Sequence, residues 1–338
     1  MLDSLVPQVH GDSRPDLPDV EFIEGDMRDT GAVKRAVQGV DGVFHLAAEV
    51  GVGQSMYEIA RYTAANDLGT AVLLEALIAE PVPRLVLASS MSVYGEGLYR
   101  NRSGETFGDA RRTAADLAAG RWDPVDASGA PLTPIPTDEQ KPVDLASIYA
   151  LTKFAQERAV LIFGATYPTE TVALRLFNVF GPGQALSNPY TGVLANFGAR
   201  LINGNPATVF EDGRQMRDFV HVEDVARAFR LAMEQTPAAG QVINIGSGHA
   251  YSIASVAQML AAALDRPDLQ PEILNRARSG DIRHCFADLS KARDLLGFHP
   301  QKRLEDSMDE LTTWIRAETA VDRGPKMRRE LEERGLVR

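Results

Sequence analysis

The run Gly42-Val43-Phe44-His45-Leu46, the helical pattern from Ala64 to Ala79 that stops before Pro81, and the apolar run from Arg84 to Ala88 read in order as strand, helix and strand. Upstream, Val20-Glu21-Phe22-Ile23 reads as a strand and Thr30 to Gly39 as a helix closed by glycine. Downstream, a helix from about Leu145 to Phe163 leads into a strand from Thr171 to Phe177. Short apolar runs that alternate with helical patterns mark a parallel sheet covered by helices. The spacing predicts an α/β chain, doubly wound over its first half, with the strand at Gly42–Leu46 buried.

Composition narrows the class of partner. The 338 residues carry 35 Lys and Arg against 46 Asp and Glu, a net charge of −11, which disfavours nucleic acid and anionic membrane surfaces. A hydrophobic fraction of 44% and a charged fraction of 24% are those of a folded globular chain. No apolar run approaches the length of a membrane span, and no basic region followed by an apolar stretch opens the chain. One cysteine, Cys285, allows neither an intrachain disulfide nor a cysteine-based zinc cluster, and the six histidines show no metal-ligand spacing. A reducing cytoplasm and no metal are the expectation. The sequon at Asn101 is then a polar loop.

Between Tyr94 and Tyr149 the stretch 95–141 is rich in Gly, Pro, Asp and Arg and lacks sustained periodicity, so it reads as an insertion: a lid, a binding loop or a small subdomain. Arg111 to Ala119 reads as one short helix within it. After Phe177 a Gly/Asn/Pro-rich stretch, a helix near Val193 to Asn203 and several later helices suggest a second, smaller lobe. The expected division places residues 1–177 and about 212–246 in a dinucleotide-binding domain, and about 178–211 with 247–338 in a substrate lobe.

Chemistry first appears at Tyr149-Ala150-Leu151-Thr152-Lys153, a phenol and an ammonium four residues apart on one helix face. Ala88-Ser89-Ser90-Met91-Ser92-Val93-Tyr94-Gly95 stands at the end of a predicted strand, where α/β sheets place ligands. Further segments in order are Gly25-Asp26-Met27-Arg28-Asp29, His45-Leu46-Ala47-Ala48, Asn66-Asp67-Leu68-Gly69-Thr70, Leu174 to Gly183 and Arg217 to Ala226. Together these resemble the extended short-chain dehydrogenase/reductases that act on nucleotide sugars with tightly held NAD, the NAD-dependent epimerase/dehydratase family, nearly end to end.

The resemblance implies a Rossmann-like sheet and a set of roles. Tyr149 would be the general base and acid on the sugar hydroxyl, Lys153 would stabilise its phenolate and bind the nicotinamide ribose, and Ser90 would orient the reacting oxygen. Asp3 would accept a ribose hydroxyl and select NAD over NADP. Asp26 and Met27 would contact adenine, Leu46, Ala47 and Ala48 would pass close to the cofactor, and Asn66 would lie beside the nicotinamide half. On the substrate side Asn178, Arg217, Arg278 and Asp281 would hold the diphosphate and sugar. Phe210 would pack against the base or simply in the core, and Cys285 would be a size gate on the wall near the sugar.

The family's glycine-rich strand–turn–helix should precede Asp3, yet the sequence opens at Met1, so the first strand and helix of the pattern are missing and a truncated reading frame is expected. Such a chain should bind NAD poorly and leave Val20–Glu24 and Arg84–Ala88 without a central partner. Dehydratases of the family carry an Asp-Glu pair where this chain has Met91 and Ser92, so the resemblance favours 4-epimerisation: hydride leaves and returns to sugar C4 through a keto intermediate. A dTDP-L-rhamnose-like substrate is favoured. The alternatives are UDP-glucose or UDP-glucuronate epimerisation, another dehydratase or reductase of the family, or a noncatalytic NAD-sensing scaffold. A homodimer through Ala64–Ala79 and Leu145–Phe163 is also implied.

Overall fold

In the computed structural model the described residues are 1–11, 14–15, 17–190, 192–318 and 320–337. The central layer is a parallel sheet of β3 (Gly42–His45), β4 (Arg84–Ser90), β5 (Glu170–Leu176) and β6 (Val242–Ile245), in spatial order β6-β5-β4-β3. A separate parallel pair joins β1 (Leu2–Asp3) to β2 (Ile23–Glu24). The predicted strand at Val20–Ile23 is thus two residues long and shifted to Ile23–Glu24.

Alternation along β4 explains why both faces are covered. Leu85 and Leu87 pack with α1 (Thr30–Val37), α2 (Gly69–Ala79) and α3 (Ile148–Thr166), through Val33, Leu73, Leu77, Val160 and Phe163. Val86 and Ala88 point the other way, into Val172, Leu174, Ile243 and the Val225, Ala228, Phe229 face of α4 (Val222–Glu234). A period of two with both faces apolar is the mark of a doubly wound sheet. Capping sets the helix starts: Asp29 accepts from Gly31 N and Ala32 N, Ser147 from Ala150 N, and His221 from Glu223 N.

Two expectations are corrected. β4 is paired on both sides, by β3 and β5, so Arg84–Ala88 does not border an open edge. β3 is an edge strand of this sheet, as β6 is at the other end, and it is only partly buried: His45 is buried, whereas Phe44 is 49% exposed and Leu46, just after the strand, 59%. Apolar composition alone does not reveal whether a strand has two neighbours.

The 95–141 insertion is a small subdomain. Leu98–Arg100 pairs antiparallel with both Thr106–Phe107 and Thr133–Ile135, and a helix at Ala114–Ala118 starts from a Thr113–Asp116 capping box. The remaining residues pack a helical lobe in which Val193–Ile202, Ile253–Ala263 and Met308–Ala317 share a core with Phe180 and Phe219. Asn178–Phe180 pairs in parallel with Phe219–His221 where this lobe meets the sheet. Thr191 lies outside the described residues. Among the described residues no helix is long and apolar enough to cross a membrane, and no group of three His, Cys, Asp or Glu could hold a metal.

Candidate active site

Every β-strand of the two parallel sheets points its C-terminal end the same way within its sheet, which puts Asp3, Asp26, Leu46 to Ala48 and Ser90 at strand ends. Ser90 closes β4 and turns the chain into a single 3-10 turn, Met91–Tyr94. Its hydroxyl lies 2.8 Å from the Ser92 hydroxyl and accepts from Ser92 N. Gly95, at φ 62°, ends the turn against the segment before α3; a Cβ there would stand 2.5 Å from the Asp144 carbonyl oxygen. The contact holds the Ser90 turn beside the start of α3. Ser89, the neighbouring hydroxyl, donates to Glu157 Oε2 at 2.7 Å, so Ser90 is the one left for a ligand.

Tyr149 sits in the first turn of α3. Its backbone N–H donates to Ser55 Oγ at 3.0 Å, and its ring meets Tyr62 edge-on at 6.5 Å. Burial raises the phenol above its ordinary value, and the Ser90 hydroxyl opposes that rise. One turn on, Lys153 is buried and donates to Gln156 Oε1 at 2.8 Å. Burial pulls its ammonium down to about 7, against the charge of Glu157. An ammonium has three donors and only one is used within the described residues, so two are left for a ligand.

Gln156 continues the network by donating to Thr70 Oγ1 at 2.8 Å, and His45 Nε2 lies 2.8 Å from the same hydroxyl. Burial holds His45 down at about 3, so it is neutral. Asn66 is buried, and its amide is spent: Oδ1 accepts from Glu49 N, while Nδ2 donates to Glu49 O and Thr152 Oγ1. It ties the loop after β3 to α3 rather than presenting a free amide. Asp26 forms a bidentate pair with Arg28, and Asp3 accepts from Leu5 N. Met27 packs beneath α2, leaving Ala47 and Ala48 partly open at the strand end.

Beside this row lies a cavity of about 550 Å³. Met91 and Ser92, in the turn that follows Ser90, line it together with Asn178, Phe210, Arg217, Arg278 and Asp281. Arg278 stacks over the Phe210 ring at 4.4 Å and donates to Asp281 at 2.9 Å. Arg217 donates to the carbonyls of Met216, Ile282 and Arg283. Cys285 does not line this cavity. It lies one layer behind, packed with Met91, Tyr94 and Ile282 near Thr137, and burial pushes its thiol up to about 12. The expected size gate is therefore a core residue, 1% exposed, with Met91 and Ile282 of the cavity lining packed against it.

Sequence reasoning did not find the groups that support these side chains. Glu157, four residues after Lys153, accepts from Arg175 Nε at 2.9 Å and Nη2 at 2.7 Å inside the core. A single Arg in the apolar run Val172-Ala173-Leu174-Arg175-Leu176 was the available signal, since an arginine there must have a partner. A second buried network joins the insertion to the lobe: Arg112 pairs with Glu96 and Glu211, and Arg283 pairs with Glu211, Asp212 and Asp123. Asp218 clamps Ser247, Gly248 and Ala287 through their backbone N–H groups, which accounts for the acid in Arg217-Asp218-Phe219.

Comparison with known proteins gives this arrangement a context. The profile of the NAD dependent epimerase/dehydratase family matches residues 2–115 and 125–246. A dTDP-L-rhamnose 4-epimerase of Burkholderia thailandensis is 36% identical over 325 residues, covering 94% of this chain and 88% of that protein. A UDP-glucose 4-epimerase of Thermotoga maritima, solved with UDP-glucose, superposes with a TM-score of 0.75 at 26% identity, covering 94% of this chain and 90% of that one. A UDP-glucuronic acid 4-epimerase of Bacillus cereus, solved with UDP-glucuronic acid and NAD, gives 0.69 at 28% identity, covering 88% and 82%.

Proposed function

The chain belongs to the NAD dependent epimerase/dehydratase family, and from that premise we propose that it inverts a nucleotide sugar at sugar C4, with a dTDP-L-rhamnose-like substrate favoured. What supports this reading is a cavity walled by Arg217 and Arg278 and lined by Ser92, whose hydroxyl lies 2.8 Å from that of Ser90, the residue whose hydroxyl in turn meets the Tyr149 phenol. Guanidinium groups suit a diphosphate, and the hydroxyls suit a sugar carbon that changes oxidation state.

NAD is the cofactor of this reading, accepting and returning the hydride at sugar C4 when bound. Asp3 would take its ribose, Asp26 and Met27 its adenine, and Ala47 and Ala48 would let it approach the backbone closely. The two unused donors of Lys153 fit ribose hydroxyls. Tyr149 removes the proton of the C4 hydroxyl and later gives it back. In the protein alone burial keeps the phenol protonated, so its activation needs positive charge nearby. Lys153 stands on the same helix face, and the Glu157 carboxylate opposes the loss of its proton. Asn66 acts by positioning, through the loop at Glu49.

Elimination of a sugar hydroxyl requires a well-placed acid. The turn Met91–Tyr94 holds none, and Glu96 beyond it is committed to Arg112, Tyr99 and the backbone N–H groups of Arg283 and His284. Epimerisation is favoured over dehydration on that ground. A cytoplasmic, reducing setting suits the lone buried Cys285. Incubating NAD-loaded protein with dTDP-L-rhamnose, UDP-glucose and UDP-glucuronate, and following sugar stereochemistry by proton NMR, tests the reading. A C4 epimer of one of them is the expected product, and no conversion of any would overturn the proposal.

A further inference from the structure

The outer wall of the cavity is the last helix, α5 (Gly324–Glu333), and it is fastened from both sides. Met327 and Leu331 pack with Phe210 in a small core of their own. Towards the sheet, Glu330 accepts from the Tyr190 hydroxyl at 2.7 Å and from that of Tyr57 at 3.3 Å, and the two hydroxyls lie 2.6 Å apart. Towards the lobe, Arg276 donates to Glu332 at 2.6 Å, and Ser279 N donates to Leu336 O at 2.8 Å. Leu331 lies so close to the loop after β3 that a Cβ on Gly53 would stand 3.3 Å from it. The segment 324–336 thus spans the cavity between the loop that leads to Ser55 and the loop that carries Arg278.

This placing brings two more cations to the cavity, Arg328 and Arg329. Arg328 is held by Glu332 at 3.2 Å and lies 3.7 Å from Glu272. Arg329 is exposed and has no ion pair or hydrogen bond among the described residues. The arginines expected from the sequence are more committed. Three of the five N–H donors of Arg217 go to backbone carbonyls, and Arg278 Nε goes to Asp281. The cavity gathers Arg200, Arg217, Arg278, Arg328 and Arg329 against Glu272, Asp281 and Glu332, an excess of cations that suits an anion in a chain of net charge −11, and of these arginines Arg329 on α5 is the one with no protein partner among the described residues.

We propose that α5 is part of the substrate site and that Arg329 is a ligand of the diphosphate of the nucleotide sugar, with the Tyr57–Tyr190–Glu330 group positioning the helix. The inference rests on the proposed nucleotide-sugar reading. Arg329→Gln should weaken binding of UDP and dTDP to the full, NAD-loaded chain by about tenfold or more, the loss expected for a charge-assisted hydrogen bond. Arg329→Lys should fall between. With a converted substrate, KM should rise while kcat stays within about twofold, because a ligand of the diphosphate holds a part of the substrate that does not react. UDP or dTDP should also slow tryptic cleavage after Lys326, Arg328 and Arg329.

Calorimetric titration of the wild type, Arg329→Gln, Arg329→Lys and Arg278→Ala separates the two readings. Arg329 is exposed and has no partner among the described residues, so its variants should fold as the wild type does. If Arg278→Ala loses UDP and dTDP binding while Arg329→Gln binds within twofold of the wild type, the role of α5 is overturned and the proposed function stands. If the wild type binds neither nucleotide, the proposed function falls and this inference falls with it.

Discussion

At the scale of single residues the site sets buried titratable groups against one another. Tyr149→Phe removes the proton-transferring atom and little else, so turnover should fall by orders of magnitude with the circular dichroism spectrum unchanged. Wild-type-like turnover in that variant would refute the role given to Tyr149. His45 makes a second, independent prediction. Burial lowers its value from the ordinary 6.5 to about 3, so between those values the unfolded chain binds a proton that the folded chain does not. Stability is then fully present above about pH 6.5 and is lost as pH falls toward 3. From pH 7 to 5 this one group should cost about 2 kcal/mol, at roughly 1.4 kcal/mol per unit. Urea unfolding at the two pH values measures the loss, and His45→Gln should flatten the difference. Lys153 has the same sign in a higher window: pulled from 10.5 to about 7, it favours the folded chain more as pH rises between them.

At the scale of elements, α3 and β5 are locked by Glu157 and Arg175, both buried, with Ser89 of β4 as a third member. Arg175 also lies over the Tyr94 ring at 4.7 Å. Breaking such a pair from one side leaves a buried charge unpaired, so Glu157→Gln should destabilise by about 3–5 kcal/mol. Replacing both partners by apolar residues, as in Glu157→Leu with Arg175→Met, should recover most of that in denaturant midpoint. Equal losses in the single and double variants would show that the pair is not what joins the elements. This lock also marks where sequence reading stops. The helix at Leu145–Phe163 was legible from its period and lies at Ile148–Thr166, displaced because Ser147 and not an earlier residue caps it. Ser90, Tyr149 and Lys153 were singled out by the family resemblance, with the four-residue spacing of Tyr149 and Lys153 as a weak signal of its own. Glu157 and Arg175 were not, since their pairing joins residues that only the folded sheet makes neighbours. The insertion strands were illegible for another reason: two or three residues such as Thr133-Pro134-Ile135 carry no alternation to read. Helix α5 is rich in Arg and Glu and looks like a solvated surface until its Met327 and Leu331 are seen against Phe210.

At the scale of the whole molecule two exposed apolar surfaces could each meet a second copy of the chain. One is a helix face on α3, where Leu151 and Ile162 are 47% and 58% exposed, with Ile78 of α2 and Leu68 just before it. Positions eleven apart on a helix fall on one side, so Leu151 and Ile162 form a stripe suited to a two-fold partner with the same stripe. The other is the open edge of β3, with Phe44 and Leu46 exposed and backbone groups unpaired among the described residues. A strand edge is a template for non-closing assembly, whereas a self-complementary helix face closes at two copies. We propose a homodimer through α2 and α3, so Ile162→Glu should give a monomer in sedimentation velocity at micromolar concentration, where the wild type sediments as a dimer. Phe44→Lys should leave the dimer intact and reduce only species larger than it. If Phe44→Lys abolishes the dimer while Ile162→Glu preserves it, the strand edge is the interface and the helix pairing is wrong.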